Sequence, residues 1–161
     1  MINESNDKST IDKNFKPKAK VPYKIVEYNQ ANSLKYFGSK DDYLKTKTGE
    51  IIIDTTNNQV IGFVLVKLNN KNIGPLKVIK EYRGQGFGDL LFKDAVTKYR
   101  GKQLGVYKDN QVAMKIYKKY CFKEVEDKGD YIIMTLNGHP LQEVKLENNF
   151  SENSLNNKVY K

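Results

Sequence analysis

Apolar and polar positions alternate along several short runs of this chain and recur at helical spacing along others. Residues 23–28 (YKIVEY) alternate and predict a first strand. Residues 29–47 are weakly helical and are interrupted at Gly38. Residues 50–54 and 60–68 predict two strands, joined by a Thr-Thr-Asn-Asn hairpin turn. Asn69 to Asn72 form a second tight turn, and residues 73–79 predict the central strand. Phe87, Leu90, Leu91, Ala95 and Tyr99 then recur at helical spacing, so a helix starting at about Gly86 has one buried face. Residues 104–107 predict a strand, and residues 111–120 a helix with Asn110 near its N-cap. Residues 122–126 and 131–136 predict a closing antiparallel pair across Asp127-Lys128-Gly129-Asp130. The order predicts an α/β (α+β) domain with a mixed, largely antiparallel central sheet.

The pattern leaves both ends of the chain outside this domain. Residues 1–20 are polar and read as a flexible arm, residues 21–138 as the domain, and residues 139–161 as an Asn-rich tail. Within that tail LQEVKL, residues 141–146, is a candidate for pairing with a partner chain.

The chemistry concentrates between the central strand and the helix after it. Arg83-Gly84-Gln85-Gly86-Phe87-Gly88 is a glycine-rich turn between a strand and a helix. Gly86 and Gly88 let backbone amides approach a ligand with no Cβ in the way. The helix points its free amides and positive dipole end at the same place, which suits a phosphate. The spacing is not that of a dinucleotide fingerprint, because the glycines stand at 84, 86 and 88; it is not a Walker loop either, because Gly88 is followed by Asp89. From these residues alone, an ordinary strand–helix turn stays open.

A second block changes that picture. Asn110, Ala113, Tyr117 and Phe122 follow a short strand in the register N-x-x-A-x-x-x-Y-x-x-x-x-F. Together with Arg83, Gly86 and Gly88, this pair of blocks resembles the GCN5-related N-acetyltransferase (GNAT) family, over roughly residues 23–136. The one departure is Cys121, where the family usually has Gly. The resemblance implies a sheet with helices on both faces and a V-shaped splay between the central strand and the strand after the glycine-turn helix. It also implies acetyl-CoA as cosubstrate, with the pantetheine arm in that splay.

Carried over by register, the resemblance assigns the pantetheine to the backbone of Leu76 and Val78, and the pyrophosphate to the amides of Arg83, Gly84, Gln85, Gly86, Phe87 and Gly88. The Leu76 amide would also polarise the thioester carbonyl. Asn110 and Ala113 would meet the cofactor, with an N-cap role for Asn110 equally open. Tyr117 would protonate the departing thiolate; the other reading is a buried aromatic on the sheet. Several family members place a Glu on the central strand, four residues before the position of Leu76; here that position is Asn72. Glu27, Glu50, Asp54 and Glu81 remain as candidates for a base, and none is assigned. Tyr36, Phe37, Tyr43 and Leu44 would line the acceptor side or fill the core. Cys121 reads as a small buried residue.

Composition narrows the surroundings. The net charge is +9, of which residues 21–138 carry +7. That suits a polyanion such as coenzyme A, or a nucleic acid, as well as a generally basic protein. Lys115, Lys118 and Lys119 form a basic stripe on one helix. The single cysteine and single histidine argue against a zinc site and a Cys–His nucleophile pair. With no apolar run of membrane-spanning length and no secretory-type leader, a cytoplasmic protein is expected. The resemblance implies a primary amine on a small molecule or peptide as acceptor, and a homodimer is open. Two rivals remain: an aminoacyl-tRNA acetylating toxin, and a degenerate acetyltransferase fold serving as a nucleic-acid or protein adaptor.

Overall fold

The computed structural model describes residues 20–141. The predicted arm therefore lies outside the described residues apart from Lys20, as does the tail beyond Leu141, including most of the pairing segment 141–146. Seven strands and three helices follow in order: β1 (Tyr23–Glu27), α1 (Gln30–Phe37), β2 (Lys47–Asp54), β3 (Gln59–Lys67), β4 (Ile73–Val78), α2 (Phe87–Thr97), β5 (Gln103–Tyr107), α3 (Gln111–Lys119), β6 (Phe122–Asp127) and β7 (Tyr131–Leu136). Short 3-10 turns occupy Asp42–Lys45 and Lys80–Tyr82.

The strands form two antiparallel sheets, β1-β2-β3-β4 and β5-β7-β6. The mixed character expected of one central sheet reduces to a single parallel bridge, Asn72 to Gln103, beside a bond from the Lys102 amide to the Lys71 carbonyl at 2.9 Å. The chain thus meets the first residue of β5 just before β4 begins, and β4 and β5 share no ladder beyond that point. This is the splay.

Alternation along the buried strands gives the first sheet two apolar faces. Ile52, Ile61, Val64 and Val66 face one way and share a core with Leu90, Leu91, Phe92 and Ala95 of α2. Ile51, Ile53, Phe63 and Leu65 face the other way, against Tyr28, Tyr36 and Leu44. Phe37 stacks on Tyr28 with ring centroids 5.4 Å apart, so these aromatics are used in packing; the Tyr43 side chain lies outside the described set. Helices therefore cover both faces of the first sheet. Met114, Tyr120, Phe122 and Met134 carry the α2-side core on into the second sheet.

Two boundaries differ from expectation for physical reasons. β2 begins at Lys47, three residues before the predicted start at Glu50, because Lys47, Thr48 and Gly49 pair with Lys67, Val66 and Leu65 of β3; Lys47 and Glu50 are polar yet buried. Tyr99 lies beyond the end of α2; the buried face of that helix is completed by Phe92 and Val96.

Candidate functional site

The site begins with the hydrogen-bond alternation of an antiparallel ladder. β3 and β4 pair Gly62 with Val78, Phe63 with Lys77 and Val64 with Leu76, and the Ile79 amide bonds the Ile61 carbonyl at 2.8 Å. Bonded pairs alternate with non-bonded ones, so Ile61/Ile79 and Phe63/Lys77 use their backbone groups within the ladder. The amides and carbonyls of Leu76 and Val78 consequently point to the other side. β4 is the edge of its sheet, and that side is the splay toward β5. A register shift between Val64 and Val66 bends β4 just before Leu76.

The glycine turn closes the far end of this edge. Gly84 and Gly86 have φ of +82° and +88°, a conformation that favours glycine. Gly86 caps α2 without a side-chain bond, and the helical ladder starts with the Leu90 amide on the Gly86 carbonyl at 3.1 Å. The amides of Phe87, Gly88 and Asp89 therefore have no partner within their own helix. Gly88 is helical, and a Cβ there would meet only Val78 Cγ2 at 3.7 Å, so the fold itself does not require glycine at that position.

Other groups brace the turn. The Arg83 amide donates to the Lys80 carbonyl at 3.2 Å, which leaves Gly84 onward as the open part of the turn. Arg83 Nε donates to the Val78 carbonyl at 3.0 Å, holding the guanidinium at the end of β4. Gln85 Oε1 accepts the Lys20 amide at 3.0 Å. The preceding 3-10 turn is anchored by Tyr82, whose hydroxyl donates to Asp54 Oδ2 at 2.8 Å.

α3 brings the second block alongside. Asn110 Oδ1 accepts the Ala113 amide at 3.2 Å, so the capping role is realised, with the side-chain NH2 still available. Ala113 and Tyr117 are half-buried against the core, and Tyr117 lies 4.6 Å from Phe92 between ring centroids. Burial pushes the Tyr117 phenol up to about 12. Among the described residues its hydroxyl has no hydrogen-bond partner. Cys121 sits at φ +71° directly after α3, half-buried rather than buried, in the left-handed conformation that explains a preference for glycine there.

The candidate bases separate. Glu27 is exposed and accepts from Asn29. Glu81 is exposed. Hydrogen bonds from Thr56 hold Asp54 below the ordinary carboxylate value. Glu50, fully buried on β2, accepts Lys98 Nζ at 3.1 Å and the Tyr99 hydroxyl at 3.2 Å through Oε1. Burial, then the neighbouring Asp94 carboxyl, pushes Glu50 up to about 8. The hydrophobic pattern could not show this cluster, because Glu50 and Asp94 interrupt it. On the α3 stripe, Lys118 pairs with Glu124 at 3.5 Å and Lys119 with Asp89, so two of the three lysines serve internal ion pairs. No group of three or more His, Cys, Asp or Glu able to hold a metal occurs among the described residues.

A sequence model of the Acetyltransferase (GNAT) family matches residues 19–121, well over half of the chain. The chain belongs to this family. Solved structures agree at the level of the fold. The ribosomal-protein-S18-alanine N-acetyltransferase of Escherichia coli superposes with a TM-score of 0.54 at 16% identity, covering 78% of this chain and 97% of that one. NAA60 of Arabidopsis thaliana, in complex with acetyl-CoA, gives 0.52 at 15% identity over 70% and 96%. IAA acetyltransferase from Bacillus cereus gives 0.50 at 17% identity over 71% and 99%. The first sequence block follows the C-terminal end of β4 and the second that of β5, and no helix among the described residues is long and apolar enough to cross a membrane.

Proposed function

We propose that this GNAT chain transfers an acetyl group from acetyl-CoA to a primary amine. The observation that carries the reading is the edge of β4: Leu76 and Val78 direct backbone groups into a splay that ends at the uncapped amides of α2. One side of the splay offers hydrogen bonds to an amide-bearing arm, and its end offers amides and a helix dipole to a diphosphate. Coenzyme A has that order of groups, and NAA60, which shares the fold, was solved with acetyl-CoA.

The residues divide the chemistry as follows. The amine nitrogen attacks the thioester carbonyl, and the Leu76 amide stabilises the oxyanion, worth about 3 kcal/mol for one well-placed donor. Collapse of the intermediate breaks the C–S bond and expels the thiolate. Tyr117 gives that sulfur its proton; with its phenol pushed up to about 12, it stays protonated throughout the physiological range. The ammonium proton of the product leaves to water. The amides from Gly84 to Gly88 hold the pyrophosphate, Arg83 adds only the guanidinium nitrogens that Val78 does not use, and Asn110 and Ala113 flank the cofactor from α3. The pairing of Lys118 and Lys119 within the protein weakens the case for nucleic acid as partner. The acceptor is a small-molecule or peptide amine, and a cytoplasmic setting fits a coenzyme A donor.

The test is calorimetric titration of acetyl-CoA into the purified chain. Saturable binding near one per chain in the micromolar range or tighter is expected. A folded sample that binds none refutes the reading.

A further inference from the structure

α2 carries the open amides and α3 carries Tyr117, yet the two helices follow strands of different sheets that share one parallel bridge. Something must hold them in register across the cleft. Apolar packing does part of this: Phe92 of α2 meets Tyr117, Tyr120 and Phe122 with ring centroids 4.6, 5.6 and 5.1 Å apart. Such a cluster sets the separation of the helices through ring packing and supplies no hydrogen bond or ion pair between them.

The directional contacts come from Asp89. Its Oδ2 accepts Lys119 Nζ and its Oδ1 accepts the Tyr120 hydroxyl. Asp89 stands three residues after Gly86, in the first turn of α2. Tyr120 stands three residues after Tyr117, at the C-cap of α3, and is 1% exposed. The carboxylate thus ties the amide-bearing turn to the phenol-bearing helix within a turn of each. A bare carboxylate beside a diphosphate would repel it; the Lys119 ammonium offsets that charge.

We propose that Asp89 is a positioning residue that, through Lys119 and Tyr120, locks α3 onto the first turn of α2 and so sets the Tyr117 hydroxyl against the cofactor. The proposal rests on the coenzyme A reading above. Asp89 touches no reacting atom in this scheme, so its removal disturbs the placement of Tyr117 and leaves the binding amides in place.

The experiment uses the full chain with 3-fluorotyrosine at position 117, titrated with coenzyme A and followed by fluorine NMR and calorimetry. The parent is expected to show one resonance that shifts on saturation. Asp89→Ala and the near-isosteric Tyr120→Phe are expected to bind within about three-fold of the parent, and Lys119→Met, which bares the Asp89 carboxylate, more weakly by up to about ten-fold. Their resonance broadens or divides, and its coenzyme-induced shift falls. Lys119→Arg, which keeps a donor within reach, restores the parent spectrum. Single-turnover release of coenzyme A from bound acetyl-CoA, with hydroxylamine in excess as the amine that takes the acetyl group, slows by ~10-fold or more in the three variants, the scale of a small misplacement of a reacting group. Parent-like spectra and rates at parent affinity overturn the proposal, as does a parallel loss of affinity in folded Tyr120→Phe. A parent chain that binds no coenzyme A overturns the underlying reading as well, which separates the two failures.

Discussion

The two ends of α2 are built on opposite principles. At the N-terminal end, Gly84 and Gly86 stand with positive φ, no side chain caps the helix, and a Cβ added at Gly84 would meet nothing within 4 Å. At the C-terminal end the backbone is closed: the Lys98 and Tyr99 amides both bond the Asp94 carbonyl, and the Gly101 amide bonds the Ala95 carbonyl at 2.8 Å. A Cβ at Gly101 would lie 2.3 Å from Ile73 Cγ1. Glycine thus provides backbone conformation at one end and close approach at the other. Charge follows the same division. The closed end buries Glu50 and Asp94 against Lys98 and Tyr99, while the open end pairs Asp89 with Lys119 and Tyr120 and leaves the amides of Phe87, Gly88 and Asp89 with no partner within the helix. A helix that satisfies every polar group at both ends would be more stable and would have nothing to bind with.

The contrast can be broken most sharply at Gly86. Gly86→Val forces a β-branched side chain into a left-handed conformation, at a cost of about 1–3 kcal/mol, and fills the space beside the amides. Calorimetry should show acetyl-CoA affinity lost in a variant that circular dichroism still finds folded; parent-like affinity would remove the turn from the cofactor site. Next in size is Tyr117→Phe. With phenol donation lost, turnover should fall ~10-fold or more while acetyl-CoA affinity changes little. Equal turnover by parent and variant would return Tyr117 to a packing role.

The closed end should report through pH. Glu50 has a folded pKa near 8 against an ordinary value of 4.5, so between these values the unfolded chain ionises it and the folded chain does not. The folded state then holds more protons than the unfolded state, and stability falls as pH rises from 4.5 through 8. The Tm should be lower at pH 8 than at pH 5 by on the order of 5 °C. Glu50→Gln keeps an acceptor for Lys98 and Tyr99 and should flatten that slope; an unchanged slope would assign it to other groups. The smallest effect separates fold from ligand at a single residue. Gly88 is helical with room for a methyl group, so Gly88→Ala should stabilise the fold by about 0.5–1 kcal/mol while weakening acetyl-CoA binding. Tighter melting with unchanged affinity would show that no ligand approaches Gly88 closely.

Much of this architecture is legible along the chain because each strand or helix with an unbroken apolar period declares itself. The strand–turn–helix at 73–97 and the helix at 111–119 were within reach of periodicity, glycine placement and the Asn110 cap, and the family register then named Leu76, Val78 and Tyr117. What depends on distant partners was not legible. β2 starts at Lys47 because its first residues pair with the end of β3, and the two polar residues buried there hide this from the local pattern. Glu50 looks like one surface carboxylate among several until Asp94, Lys98 and Tyr99 from α2 and its end converge on it from some fifty residues away. Arg83 reads as a phosphate ligand, yet its amide is already spent on Lys80 and its Nε on Val78. Sequence alone settled the order of elements, the family and the positions of the two motif blocks, because these rest on short-range spacing. Only the tertiary structure decided which backbone groups of β4 face the splay, which lysines are already paired and which carboxyl is buried, because each of these depends on what another strand or helix brings alongside.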